Sequence, residues 1–144
     1  MTRLILLGTA GGPRPNAYRS QPAQVIVVEE VPYLVDCGWG VGRQFVRAGI
    51  PLRQLGNVFI THQHSDHNGD YGNVLYQAWI SGRADPIDTY GPPPIERMTE
   101  DYLRLNAYDL DCARATSYAL NWRRCSVPIA CLSPALFWRT TACA

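Results

Sequence analysis

The first third of the chain alternates short apolar runs with turn residues: "RLILLG", the loop "GGPRPN", then "QVIVVEE" and "PYLVDCG". β-Branched segments punctuated by glycine, proline and asparagine predict three strands. After Gly40 the period changes: Val41, Phe45 and Ala48 fall on one helical face before Gly49 ends it. "NVFIT" predicts a fourth strand, and Tyr71, Leu75 and Trp79 at i, i+4 and i+8 predict a helix behind it with that stripe in the core. "PIDTYG" reads as a further short strand, "PPP" as a stiff extended connector, and "IERMTEDYLRL" as a helix with Ile95, Met98, Tyr102 and Leu105 inward. Strands interleaved with helices imply a layered α/β architecture.

The pattern fails from about Thr116. The last 29 residues contain no acid and no glycine, but three of the five cysteines and two of the four tryptophans. They are too apolar for ordinary disorder and show no sustained period. The expected organisation is a partial domain over 1–115 and an atypical tail over 116–144, frameshifted or disordered. A chain of 144 residues suits one domain of ordinary size.

Composition narrows the class. The apolar fraction is 47%, and no apolar run approaches the roughly 18 to 20 residues of a membrane span. The run Leu4 to Leu7 is too short for a signal-peptide core, and an odd count of five cysteines without regular spacing suits reduced thiols, so a cytoplasmic protein is expected. Every basic residue is arginine; ten of them face twelve acids through residue 115, so the main body carries −2 within a chain of net charge +1. That balance does not make the body an electrostatic trap for nucleic acid. "GTAGG" lacks a GK[ST] ending and reads as a tight turn.

All three histidines of the chain lie in "THQHSDHNGD", Thr61 to Asp70. In an extended segment residues two apart point the same way, so His62 and His64 can aim at one point beyond the fourth strand. Asp66 and His67 follow where the chain turns into the next helix. Imidazole and carboxylate ligate zinc and other first-row divalent ions, and four such groups in six positions can serve adjacent metals. The competing view is a polar loop in which Asp66 caps the following helix. A Ser65, Asp66, His67 triad is excluded, because sequence neighbours cannot line up as nucleophile, orienter and base.

"HQHSDH" resembles the HxHxDH signature of the metallo-β-lactamase superfamily. "LLGTAGGPRP", "VDCG" and "VFITHQHSDHNGDYG", in that order, resemble its ribonuclease Z and arylsulfatase-like branch. The resemblance covers residues 3 to about 115 and implies the N-terminal half of an αββα sandwich. It implies His62 and His64 at a first metal, Asp66 and His67 at a second, and Asp66 also as the proton-handling catalytic residue. Asp36 matches the family's first-motif aspartate and is expected to support the metal-bearing loop; a helix N-cap is the alternative. The cofactor implied is zinc, two ions in the intact family and one or none here.

The implied chemistry is hydrolysis by a metal-bound hydroxide. With its acidic body and no lysine, the chain leans toward a small-molecule aryl sulfate or similar ester. A ribonuclease Z-like tRNA 3′-processing endonuclease, with RNA as partner, is the alternative. A third reading is a truncated, non-catalytic remnant binding at most one metal, because family members complete both sites with later ligands and no histidine follows His67. Asp109, Asp111 and Cys112 are the nearest downstream candidates, with a surface turn and a buried thiol as the plainer account. Half a sandwich would also leave an apolar sheet face open, which invites dependence on a partner or a homo-oligomer.

Overall fold

A computed structural model of the chain describes residues 1–115 and the backbone of 138–142. Six strands form one sheet in the order of the sequence: β1 (Thr2–Gly8), β2 (Ala23–Val28), β3 (Val31–Val35), β4 (Asn57–Phe59), β5 (Ile87–Gly91) and β6 (Trp138–Ala142). The first three form an antiparallel meander, with Ile5 opposite Val25 and Val25 opposite Leu34. From β3 onward the pairing is parallel, with Val35 beside Phe59 and Phe59 beside Tyr90. Parallel neighbours require crossovers, and these are the helices. α1 (Val41–Arg47) links β3 to β4, while α2 (Ser65–Asn68) and α3 (Tyr71–Ile80) link β4 to β5. α4 (Ile95–Leu105) and α5 (Ala107–Ala115) follow β5.

The helices cover one face. Val25, Leu34, Val58 and Ile87 from the sheet share a single buried cluster with Phe45, Leu75 and Ile95 from the helices. Each such side chain contributes roughly 1.5–3 kcal/mol by leaving water. Gly49, at φ 76°, ends α1 in the left-handed region that glycine enters without a Cβ penalty. The stripe Tyr71, Leu75, Trp79 is buried as its spacing predicts.

The other face is largely apolar, with Gln24, Asn57 and Asp88 as its polar positions, and is uncovered among the described residues. Leu4 and Leu6 on β1 are 64% and 62% exposed. In register with them stand half-buried Ile26, Tyr33, Val35, Phe59 and Tyr90, the last two stacked at 4.8 Å. This is the open face that half of an αββα sandwich implies.

Two local expectations differ from the structure. Leu105 is 84% exposed, and the inward line of α4 runs instead through Ile95, Met98, Thr99 and Leu103. The helix ends at Asn106, one position after Leu105. The prolines after β5 form a bend and turn with a cis Pro93–Pro94 bond, not an extended connector. The tail supplies β6, which pairs in parallel with β5 from Ile87 opposite Trp138 to Gly91 opposite Ala142. Five residues are too few to register as a period in the sequence. Residues 116–137 and the cysteines Cys125, Cys131 and Cys143 lie outside the described residues. Among the described residues no helix is long and apolar enough to cross a membrane.

Tyr71 ties the helical layer to the sheet through a buried hydroxyl network. Its phenol donates to Thr89 Oγ1 at 3.1 Å and lies 2.7 Å from Thr99 Oγ1, which in turn donates to the Ile95 carbonyl. Burial pushes the phenol up to about 12, against its hydrogen bonds to the two threonines, which pull it down. An unfolded tyrosine ionises near 10. The folded state therefore holds its proton longer, so this contribution is complete below about pH 10 and is lost between about pH 10 and 12. Tyr71→Phe should cost about 1 kcal/mol at neutral pH and blunt the fall of the melting temperature over that alkaline range, as thermal melts at stepped pH would show.

Candidate metal centre

The three parallel strands β3, β4 and β5 end on the same side, and at such carboxyl ends loops converge to form sites. Asp36 follows β3, Thr61 and His62 follow β4, and Pro92 follows β5. The loop after β4 is anchored at its neighbours: Gln63 Nε2 donates to the Pro92 carbonyl at 2.6 Å, and Asn68 Nδ2 donates to Gln63 Oε1. Cys37 N donates to the His67 carbonyl at 2.6 Å, Asp70 N to the Cys37 carbonyl at 2.8 Å, and Gly40 N to Asp70 Oδ2 at 2.7 Å. These bonds weld the β3 turn to the histidine loop.

Asp36 is the hub. It is buried, and its φ of 61° puts a non-glycine residue in the left-handed region, a strain of about 1 kcal/mol or more that surrounding contacts must hold. Its Oδ1 accepts from Thr61 N at 2.8 Å, and Thr61 Oγ1 lies 3.0 Å from both carboxylate oxygens. His67 Nδ1 lies 2.8 Å from Asp36 Oδ2. A carboxylate only accepts, so His67 Nδ1 carries a proton, and in the neutral ring Nε2 then presents a lone pair. Thr61 has one hydroxyl proton and gives it to Asp36. The contact of 3.0 Å between Thr61 Oγ1 and His62 Nδ1 must then be donated by His62, which in the neutral ring leaves His62 Nε2 with the lone pair as well.

Two imidazoles are thus held by one carboxylate, directly or through a hydroxyl, in the tautomer a metal ligand needs. The N-cap alternative for Asp36 does not hold, since α1 is capped by Gly40 and the carboxylate faces Thr61 and His67. Nor does Asp66 cap a helix: His64 occupies the N-cap of α2, with no side-chain bond closing it.

The remaining donors gather around these two rings. The His62 ring lies 4.8 Å from that of His64 and 4.0 Å from that of His67. Buried Asp66 brings Oδ2 to 3.7 Å from His67 Nε2. Two donors each roughly 2 Å from one ion stand roughly 3 to 4 Å apart, so this pair fits a shared cation. Among the described residues no group of three or more His, Cys, Asp or Glu side chains is arranged to hold a metal ion; Asp66 with His67 is the pair whose separation fits one.

Cys37, adjacent to Asp36, is fully buried in the core. Burial, with the charges of Asp36 and Asp70, pushes its thiol up and keeps it protonated. Asp109, Asp111 and Cys112 lie on helix α5 rather than in a surface turn, and Cys112 is exposed rather than buried. Thr61, which locks His62, is the site residue that sequence spacing misses, because nothing local marks a threonine as bridging a histidine and an aspartate 25 residues upstream.

One sheet backed by helices, with a His-x-His-x-Asp-His turn at the carboxyl ends of its parallel strands, is the N-terminal part of a metallo-β-lactamase fold, and the chain is of that superfamily's hydrolase lineage. Within it, the family described as anti-Pycsar protein Apyc1 matches residues 2–98, and the chain belongs to this family. Over 113 residues it is 35% identical to ribonuclease Z of Mycolicibacterium gilvum (strain PYR-GCK), covering 76% of this chain and 39% of that protein. It is 32% identical over 109 residues to ribonuclease Z of Methanococcus aeolicus, covering 76% of this chain and 34% of that protein. Human tRNase Z, short form, superposes with a TM-score of 0.65 at 29% identity, covering 74% of this chain and 40% of that one. The metallo-β-lactamase fold protein YhfI from Bacillus subtilis, at 22% identity and TM-score 0.59, agrees in fold. The chain spans about two-fifths of the length of these relatives.

The ribonuclease Z relatives overturn the preference for an aryl sulfate or similar small ester. That preference rested on net charge, and a sum over 115 residues is blind to where the arginines stand.

Proposed function

We propose that the chain carries the metal-binding part of a ribonuclease Z-like hydrolase that cleaves phosphodiester bonds in RNA, tRNA precursors in particular. The observation that carries this reading is the pair of imidazoles, His62 and His67, both locked through Asp36, with His67 Nε2 3.7 Å from Asp66 Oδ2. His62 and His64 would hold one zinc ion, and Asp66 and His67 a second. Zinc, when bound, supplies an acidified water and a counter-charge for the phosphoryl oxygens. Asp66 Oδ2 would take the proton released as water attacks phosphorus and return it to the leaving oxygen. Asp36 positions His67 and, through Thr61, His62. The reduced state of buried Cys37 suits a cytoplasmic setting. A homo-oligomer would cover the open face of the sheet.

A second reading has its own observation. Every imidazole of the chain stands in the cluster, so each metal position receives two protein donors from it and no third histidine. The chain would then bind at most one ion firmly and turn nothing over. Incubation of the zinc-loaded chain with a labelled tRNA precursor decides between them. Under the first reading, cleavage depends on metal and falls about a hundredfold or more in Asp66→Asn. Stoichiometric zinc without cleavage would favour the second, and neither zinc nor cleavage would sink both.

A further inference from the structure

A groove opens beside the candidate metal centre. The loop before β2 forms one wall and the exposed side of α1 the other, enclosing about 390 Å³. Arg19 comes from the loop and Arg43 and Arg47 from α1, while Tyr18 and Trp39 add aromatic rings; no acid lines the groove. Among the described residues none of the three arginines pairs with a carboxylate. Arg43 and Arg47 are one helical turn apart, which places their stems roughly 6 Å from each other on one side of α1.

The walls are built rather than incidental. Asn16 Oδ1 accepts from the backbone N–H groups of Tyr18 and Arg19 at 2.8 and 3.0 Å, fixing the loop tip. Gln44 Nε2 donates to Ser20 Oγ at 2.9 Å and pins that loop to α1. Trp39 joins the groove to the site. Its indole lies so close to Gly69 that a Cβ there would come within 1.9 Å of Nε1, yet the residue lines the groove and stays 42% exposed. Gly69 belongs to the histidine loop, two residues after His67.

Unpaired guanidinium groups in a row, flanked by exposed aromatic rings, suit a chain of phosphates with stackable bases. We infer that this groove is the track for single-stranded RNA leading to the metal centre, with Arg19, Arg43 and Arg47 on phosphates and Trp39 stacking a base next to the scissile bond. This rests on the ribonuclease Z-like reading of the site, and deepens it by assigning the surface that holds the strand.

The test separates the two claims by measuring binding without metal. The full chain in EDTA is titrated against a labelled, mixed-sequence single-stranded RNA of about ten nucleotides, at several salt concentrations. Three phosphate contacts give a slope of log affinity against log salt of about −2. The double variant Arg43→Gln, Arg47→Gln, which keeps helix-forming residues at exposed positions, should bind about tenfold more weakly and lose more than half of that slope. Trp39→Leu should weaken binding about tenfold with the slope unchanged, Trp39→Phe should restore it, and Arg97→Gln, at an exposed arginine outside the groove, should bind as the natural chain does. Unchanged affinity in the arginine variant, or equal binding of duplex RNA with no effect of Trp39→Leu, would overturn the groove. Metal-dependent cleavage is scored separately. RNA held by the groove but never cut would overturn the hydrolase reading and leave the groove standing, and cleavage unaffected by the arginine variant would do the reverse.

Discussion

Asp36→Asn should leave the chain folded while lowering its affinity for zinc ten- to a hundredfold. The aspartate at 36 accepts everywhere: from the Thr61 backbone, from the Thr61 hydroxyl and from His67 Nδ1. Asparagine tolerates the left-handed backbone found there, so the strain at φ 61° is not made worse. Its amide has one accepting end and one donating end. If the oxygen keeps Thr61 N, the amide group meets His67 Nδ1–H, donor against donor, and the ring must move its proton to Nε2, the atom a metal needs. If the amide is reversed, the Thr61 N–H loses its acceptor instead. Asp36→Ala removes every bond at once, leaves buried donors unpaired and places alanine at positive φ, and should cost about 3 kcal/mol of stability as well. Competition with a chromophoric chelator, beside a thermal melt, distinguishes the two variants. Equal zinc affinity in Asp36→Asn would show that the carboxylate plays no part in orienting the ligands.

Gly38→Ala should do still more damage. A Cβ at 38 would stand 2.4 Å from the carbonyl oxygen of Asp66 and 2.5 Å from Gln21 Cβ, and 2.7 Å from the Gln21 carbonyl carbon. Two of those three atoms are backbone, so no side-chain rotation relieves the contact. Either the β3 turn or the first turn of α2 has to shift, and both are tied by the Cys37 to His67 and Asp70 to Cys37 bonds. A cost of about 3 kcal/mol or more is expected, with loss of metal binding in whatever fraction still folds. A melting temperature within a few degrees of the natural chain would contradict this packing.

The parts of this molecule that the sequence makes legible are those with local signals. Alternation marks β1 to β3, the stripe from Tyr71 to Trp79 marks α3, and the histidine cluster is confined to ten residues. Leu105 misleads because a helical stripe can outrun the surface it packs on; apolar spacing records the helix, not its neighbours. Relations between distant residues leave no such trace. Asp36 meets His67 across 31 positions, and Arg19 meets Arg43 and Arg47 only because Gln44 holds the Ser20 loop against α1. The same distance explains the misjudged substrate. Twelve acids and ten arginines average to a weakly acidic body, while the groove next to the site contains arginines and no acid.

Whether His62, His64, Asp66 and His67 form a metal centre oriented by Asp36 is decided by the zinc content of the purified chain after dialysis against buffered trace zinc. Close to one zinc or more per chain is expected, removable by chelator, with a clear loss in both His67→Ala and Asp36→Asn. A chain that retains no more zinc than the variant with all three histidines replaced by alanine would contradict it.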